Sequence, residues 1–379
     1  MKASFRSAAV IASLVGLLSI ASFATAQDAT QEASVDPSTL TPVSLQLQWV
    51  AQSQFAGYYA AKELGYYEEE GIDLTILEGA VEIVPQQVVA SGGAQFGIAW
   101  VPKVLASNAQ GVNLVNIAQV FQRSGTLEVS FIDTGIESVE DFAGMRIGTW
   151  GFGNEFELLA AMRAVDIDPN NADDVTIIQQ PFDMSLLLSG ELDAAQAMTY
   201  NEYAQVLEQI NPETGELYQP EDLNVIDFND VGTAMLQDHI FVDGNWLAEE
   251  GNGELATAFL KASLRGWAYC RDNIEACVEI VLDNGSTLGE SHQTWQLNEI
   301  NKLIWPSPAG IGIMDADLWE QTVAVALEGE VITEAPAETA YTSEYAQAAL
   351  DELMSEYPDL DLMGAEYEPI TVELLEGGE

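Results

Sequence analysis

Between residues 43 and 242 the chain keeps changing its period, and this alternation restricts its fold more than any other feature. Residues 43–50 (VSLQLQWV) alternate apolar and polar, the two-residue repeat of a strand. Residues 55–64 follow helical spacing and stop at Gly65, a suitable C-cap. Residues 72–76, 94–99 and 115–120 read as strands, with helices at 84–90 and 104–110 between them. The rhythm resumes after Gly125, with strands at 128–132, 146–150, 175–179 and 194–198. Helical segments at 139–142, 155–165, 184–188 and 201–210 separate or follow them. Short strands at 223–228 and 240–242 come last, and helices at 253–271, 274–282, 292–303 and 318–326 complete the pattern. Strands alternating with helices predict an α/β fold with a parallel sheet covered on both faces.

The order of elements predicts two lobes. The first takes residues 43–125 and, on the chain's return, 233–328; the second is inserted as 126–232. Two crossings make a hinge, and the cleft between lobes is a natural solute site. Residues 329–379 read as an acidic extension with loose last residues. At the other end, Lys2 and Arg6 precede an uncharged apolar run, 8–23, and the small-x-small tripeptide Ala24-Thr25-Ala26. This is the pattern of a cleaved export signal, residues 1–26, followed by a polar flexible leader, 27–42. With no cysteine near the cut, a lipid anchor is not expected, and the mature chain is expected to be soluble and outside the cytoplasm.

Charge narrows the partners. Against 61 Asp+Glu stand only 11 Lys+Arg, a formal net charge of −50. Such a surface repels nucleic acid and anionic lipid. The acids are scattered among apolar residues, so they predict a solvated shell and not disorder. Two cysteines, Cys270 and Cys277, lie seven apart. In one unbroken helix they stand about 10 Å apart, too far to bridge. A helix break at Asp272-Asn273 brings a disulfide within reach, and two buried thiols are the alternative. With His239 and His292 remote in sequence, no metal-ligand spacing emerges. No nucleophile elbow or His–Cys pair is present, so no catalytic residue, metal or cofactor is assigned.

Three aromatic segments sit where strands end, the place where ligands bind in open parallel sheets. In the first, Trp49 is suited to stack on a flat ring, and the amides of Gln52 and Gln54 match ring heteroatoms. Tyr58 follows on the helix; core packing is an equal reading for Trp49 and Tyr58. The second is Trp150-Gly151-Phe152-Gly153-Asn154-Glu155, a glycine-rich turn without the spacing of a dinucleotide or Walker loop. Backbone N–H groups of such a turn hold a phosphate or carbonyl oxygen, but the nearby charges are Glu155 and Glu157, which favours a neutral ring with polar edges. A turn that merely needs its glycines is the competing reading. In the third, Tyr200 and Glu202 open a helix, and Glu202 suits an amino-substituted ring; the competing reading is a carboxylate favoured by the helix dipole. Trp100 follows another strand and is expected in the cleft.

At these segments the chain resembles a known family. LQWVAQSQFAGYYAAKELGYYEEEGIDLTI looks like the opening of periplasmic binding proteins related to sulfonate-binding proteins and to the thiamine-pyrimidine synthase of fungi. TWGFGNEFELLAAM, QQPFDMSLLLSGELDAAQAMTYNEYAQ, GWAYCRDN and NKLIWPSPAGIGIMD are similar to one subgroup. The resemblance implies a type II periplasmic-binding-protein fold, two lobes with mixed, mainly parallel sheets, and a monomer that hands a small heterocyclic solute to the permease and ATPase of an ABC importer. It implies a thiamine-precursor pyrimidine as solute, with riboflavin as the alternative. By position, Trp49 resembles the family's ring-stacking tryptophan, and residues 151–155 resemble the glycine loop that holds pyridoxal phosphate in the synthase. The synthase also uses a CCCFC cluster with iron and donates a histidine. The comparable stretch here is Gly232-Thr233-Ala234-Met235-Leu236, and residues 43–125 hold no histidine. Those departures point away from the synthase and from an enzyme.

Overall fold

The computed structural model describes residues 37–285 and 287–378. The expected export signal, and the leader up to residue 36, lie outside them. Among the described residues no helix is long and apolar enough to cross a membrane.

Among the described residues ten strands carry the fold: β1 (Thr41–Gln46), β2 (Ile72–Leu77), β3 (Phe96–Trp100), β4 (Leu114–Gln119), β5 (Thr126–Phe131), β6 (Arg146–Thr149), β7 (Thr176–Gln179), β8 (Ala194–Met198), β9 (Leu223–Asp227) and β10 (Asp238–Asp243). They form two five-stranded sheets, ordered β2-β1-β3-β10-β4 and β7-β6-β8-β5-β9. In the first, β1 pairs parallel with β2 and β3, and β10 runs antiparallel to β3 and β4. In the second, β6 pairs parallel with β7 and β8, and β5 runs antiparallel to β8 and β9.

Each sheet is therefore parallel apart from one reversed strand, and the reversed strand is the first after a crossing. The chain leaves β4 at the cleft and enters β5 from the cleft; it leaves β9 at the cleft and enters β10 the same way. With no helix to carry it back to the far edge, a strand entered from that side must run against its neighbours. Helix–strand alternation foretells the parallel strands and is blind to these two.

The crossings are bonded to each other. Gln237 Oε1 accepts the Gly125 N–H at 2.8 Å, and its Nε2 donates to Ser124 Oγ at 3.0 Å and Thr126 Oγ1 at 2.6 Å. Glu157, from the second lobe, accepts Ser124 Oγ–H at 2.9 Å and the Met235 N–H at 2.5 Å. Burial in this joint pushes the Glu157 carboxyl up to about 7, against the pull of those donors.

The first lobe's core lies between its sheet and the long helix Asn252–Asp272. Phe96 stacks on Phe259 with centroids 3.8 Å apart. Helix Ala56–Glu63 crosses the long helix at Gly57 and Gly266, so closely that a Cβ on Gly266 would stand 2.1 Å from the Gly57 carbonyl oxygen. The long helix ends at Asp272, Ile274–Asn284 begins a new one, and Cys270 and Cys277 are joined with Cα atoms 5.3 Å apart. The break at Asn273 is what makes that separation possible.

Three segments differ from expectation. Residues 37–42, expected in the flexible leader, hold a short 3-10 turn at Pro37–Thr39 and the first two residues of β1, Thr41 and Pro42. β1 stops at Gln46 and not at residue 50, and its partner β2 ends at Leu77; beyond them the segments stay joined by the Leu47 N–H to the Leu77 carbonyl and the Gly79 N–H to the Trp49 carbonyl, both at 2.8 Å. Residues 329–379, expected as an acidic extension with loose last residues, contain helix Glu344–Glu356, which buries Ala346, Ala349, Leu350 and Leu353 in the first lobe's core. Lys261 of the long helix holds its end through Glu356 at 2.7 Å and Glu352 at 3.5 Å, with Glu70 at 3.0 Å. Acid-rich composition concealed an amphipathic helix whose acids face water.

Candidate functional site

A cavity of about 420 Å³ opens between the two sheets, at the ends of β1, β3, β6 and β8. Of the residues expected there, it is lined by Trp49, Gln52, Gln54, Trp100, Trp150, Gly153, Asn154, Tyr200 and Glu202. Tyr58, Gly151 and Glu155 do not line it.

Its walls are aromatic from both sides. Trp49 follows β1 in the first lobe, and its ring lies 4.7 Å from Phe182 of the second, tilted by 42°. Trp150, at the end of β6, is parallel to Phe182 within 6° at 6.0 Å. Trp150 is buried and its indole N–H has no hydrogen-bond partner, while the Trp100 indole, also buried, faces the Asp238 carboxyl. Gln86 Oε1, also on the wall, is likewise buried and unpartnered. Buried polar groups left unpaired cost free energy, and both of these atoms are shielded within the wall.

The first lobe adds a polar floor. Gln52 Nε2 donates to Gln54 Oε1 at 2.7 Å, and Gln54 Nε2 donates to Asp238 Oδ2 at 2.9 Å. Gln48 Nε2 meets Asp238 Oδ1 at 2.5 Å. Burial pushes the Asp238 carboxyl up to about 7, with Gln54 and Lys103 pulling the other way. Lys103, on helix Val101–Ala109, places its ammonium 4.7 Å above the Trp100 ring and donates to Asn154 Oδ1 of the second lobe at 2.7 Å. Burial lowers this lysine to about 8, and Asp238 and Glu155 oppose the shift.

The glycine turn is built differently from a phosphate cradle. Gly151, Phe152 and Gly153 all have left-handed backbones, with φ of 72°, 57° and 86°. The Gly153 N–H is taken by Glu155 Oε2 at 2.8 Å, and Asn154 donates its N–H and Nδ2 to the Gly151 carbonyl at 3.1 and 2.8 Å. Glu155 thus closes its own turn, where an incoming anion would otherwise sit, and Gly151 supplies curvature. The left-handed backbone at Phe152, costly for a non-glycine residue, leaves its ring 66% exposed at the cavity mouth. Tyr58 is a core residue: it is fully buried and meets Trp267 edge-on at 5.6 Å.

In the second lobe Tyr200 is buried, and desolvation holds its hydroxyl well above its usual range, so it stays protonated. Glu202 accepts the Met198 N–H at 3.0 Å and Asn201 Nδ2–H at 2.8 Å. Burial raises its carboxyl, while these donors and His292 draw it back. Each oxygen keeps lone-pair capacity toward the cavity.

Sequence reasoning missed Lys103, Asp238, Phe182, Gln86 and Asn201. The glycine turn was read as lacking a cation because only its neighbours in sequence were counted. One signal was present for Lys103: a lysine just after a strand end, in a chain with 11 basic residues. Asp238, one acid among 61, carried none.

Comparison with known proteins follows the same lines. A family model described as NMT1/THI5 like matches residues 52–276. The formylaminopyrimidine-binding protein of Halalkalibacterium halodurans is 24% identical over 321 residues, 83% of this chain and 92% of that protein. The riboflavin-binding protein RibY of Chloroflexus aurantiacus is 27% identical over 301 residues, covering 75% and 80%. Among solved structures, a periplasmic sulfonate-binding protein SsuA from Methylobacillus flagellatus superposes with a TM-score of 0.59 at 17% identity, over 89% of this chain and 99% of its own. That last likeness is one of fold.

Proposed function

This chain belongs to the NMT1/THI5-like family, and from that premise we propose that it is the extracytoplasmic solute-binding component of an ABC importer for a planar nitrogen heterocycle. One observation carries the reading: rings from both lobes wall a single cavity at the sheet ends, among the amides of Gln52, Gln54 and Asn154 and the carboxyl of Glu202. A flat ring with heteroatoms at its edge suits such a wall, stacking on Trp49 and pairing with those polar groups. Glu202 is an acceptor for an exocyclic amino group, and the first solute is a thiamine-precursor pyrimidine of the formylaminopyrimidine type. The two lobes close on it and present the complex to a membrane permease driven by an ATPase. The protein works as a binding protein, periplasmic and monomeric, and not as an enzyme.

A second reading for the solute is riboflavin. It is supported by the cavity's volume of about 420 Å³ and by three large rings, Trp49, Trp150 and Phe182, which offer more stacking surface than one pyrimidine covers. A thermal-shift screen of pyrimidines, thiamine, riboflavin and alkanesulfonates separates these readings. A ligand at 100 times its Kd stabilises by about 2.7 kcal/mol. A shift with the aminopyrimidine or the flavin is expected; a shift with sulfonates alone would overturn the heterocycle reading. Incubation with iron and pyridoxal phosphate is expected to yield no pyrimidine product and no loss of a histidine.

A further inference from the structure

Behind the cavity wall stands helix Glu290–Ile304, and on it His292, 1% exposed. Its Nδ1 lies 3.0 and 3.1 Å from the two carboxylate oxygens of Glu208, itself 1% exposed. Its Nε2 lies 2.9 Å from Asn201 Oδ1. An imidazole nitrogen faces an acceptor stably only when it carries a hydrogen. Which end of the Asn201 amide is the acceptor follows from its neighbours.

On one side, the Gln54 N–H donates to Gln296 Oε1 at 3.1 Å. The other end of that amide, Gln296 Nε2, is then a donor, and it points at Asn201 Oδ1 at 3.3 Å. On the other side, the Met198 N–H donates to Glu202 Oε2, and Asn201 Nδ2 donates to Glu202 Oε1. Turning Asn201 over would press its amide oxygen against a carboxylate and its NH₂ against two donors. Two backbone N–H groups, one in each lobe, therefore set the direction of the whole chain of bonds. With Glu208 ionised, both nitrogens of His292 face acceptors.

We propose that His292 is a buried imidazolium paired with the Glu208 carboxylate, and that it is a positioning residue which, through Asn201, aims Glu202 at the solute. The charged groups that face it are Glu208 and, beyond Asn201, Glu202. The positive charge supports an ionised Glu202, which accepts from a solute amino group and repels a solute edge that offers only acceptors. Helix Glu290–Ile304 packs in the first lobe's core through Leu297, Ile300 and Ile304, while Asn201 and Glu208 belong to the second lobe. Glu202 is thus fully oriented only when the lobes stand as they do here, which couples recognition of the amino group to closure. The positioning role rests on the solute reading above; the protonation state does not.

The chain has two histidines, which makes the test direct. A long-range ¹H–¹⁵N correlation spectrum of the intact protein at pH 7 is expected to show His292 protonated on both nitrogens. His239, which burial lowers to about 4, serves as the neutral reference. A neutral, single-tautomer His292 would overturn the proposal. In the Glu208→Gln variant the expected spectrum is neutral, and the Kd for 4-amino-5-hydroxymethyl-2-methylpyrimidine rises at least tenfold. For the counterpart lacking the 4-amino group the Kd changes less than twofold; an equal loss for both would mean a merely structural pair. If neither pyrimidine binds the unmodified protein, the solute reading and the positioning role fall together, and the nitrogen spectrum alone decides the imidazolium.

Discussion

Lys103 of the first lobe donates its Nζ hydrogen across the cleft to Asn154 Oδ1 of the second at 2.7 Å. The bond also fixes the amide of Asn154, whose Nδ2 holds the Gly151 carbonyl, so one lysine ties lobe closure to the shape of the glycine turn. A hydrogen bond to a charged group contributes roughly 1.5–3 kcal/mol. Lys103→Met keeps the stem and removes the donor. It is expected to weaken solute binding by about tenfold or more, chiefly through faster dissociation. Stopped-flow fluorescence would check this, and an unchanged dissociation rate would show that the bond does not hold the closed form.

Trp49 touches Phe182 from the opposite lobe. Replacing Trp49 by Ala removes the stacking surface, worth roughly 0.5–1.5 kcal/mol beyond buried area. The Kd is expected to rise tenfold or more while the melting temperature of the free protein barely moves, since the ring is only half-buried. Calorimetric titration of both proteins decides it.

Stability should fall as pH rises from about 4.5 to about 7. Burial holds Asp238 and Glu157 at about 7 in the folded chain, against usual values of 3.8 and 4.5. Across that window the folded state keeps protons that the unfolded state has released. The stability linked to these carboxyls is complete below the unfolded values and lost as pH rises through 7. His239 works in the other direction between its folded value of about 4 and its usual 6.5. Two carboxyls outweigh one imidazole, and Glu128, also raised by burial, adds to them. The melting temperature is expected to be higher near pH 5 than near pH 7.5, and Glu157→Gln should flatten the difference. A higher value at the alkaline end would contradict the argument.

Gly266→Ala should destabilise by about 1–3 kcal/mol, the range for overpacking a tight contact. The added methyl meets the Gly57 carbonyl oxygen and Ala61 Cβ, and backbone on both sides leaves nothing flexible to yield. Urea unfolding with an unchanged m-value and a lower midpoint would report it.

Much of the architecture was legible in local pattern. The alternation of periods located the parallel strands and their helices, and Asp272-Asn273 marked the break that lets Cys270 meet Cys277. Strand ends are also local signals, so Trp49, Trp100, Trp150 and Tyr200 were picked out from their places after strands, and all four line one cavity. Legibility failed where a role depends on a distant partner. Tyr58 stands two residues from the cavity-lining segment's helix start, but its helix turns it toward Trp267. Glu155 sits among lining residues and spends its carboxylate on Gly153 two residues back.

By itself, then, the sequence determined the repeating units and the aromatic segments at strand ends, because periodicity and turn chemistry act over a few residues. The tertiary structure alone decided that β5 and β10 run backwards, that helix Glu344–Glu356 joins the core, and that Lys103 reaches Asn154. It alone set His292 between Glu208 and Asn201. Those pairings join residues dozens to well over a hundred positions apart. Their energy comes from burial and from satisfying polar groups in three dimensions, which no window of sequence contains.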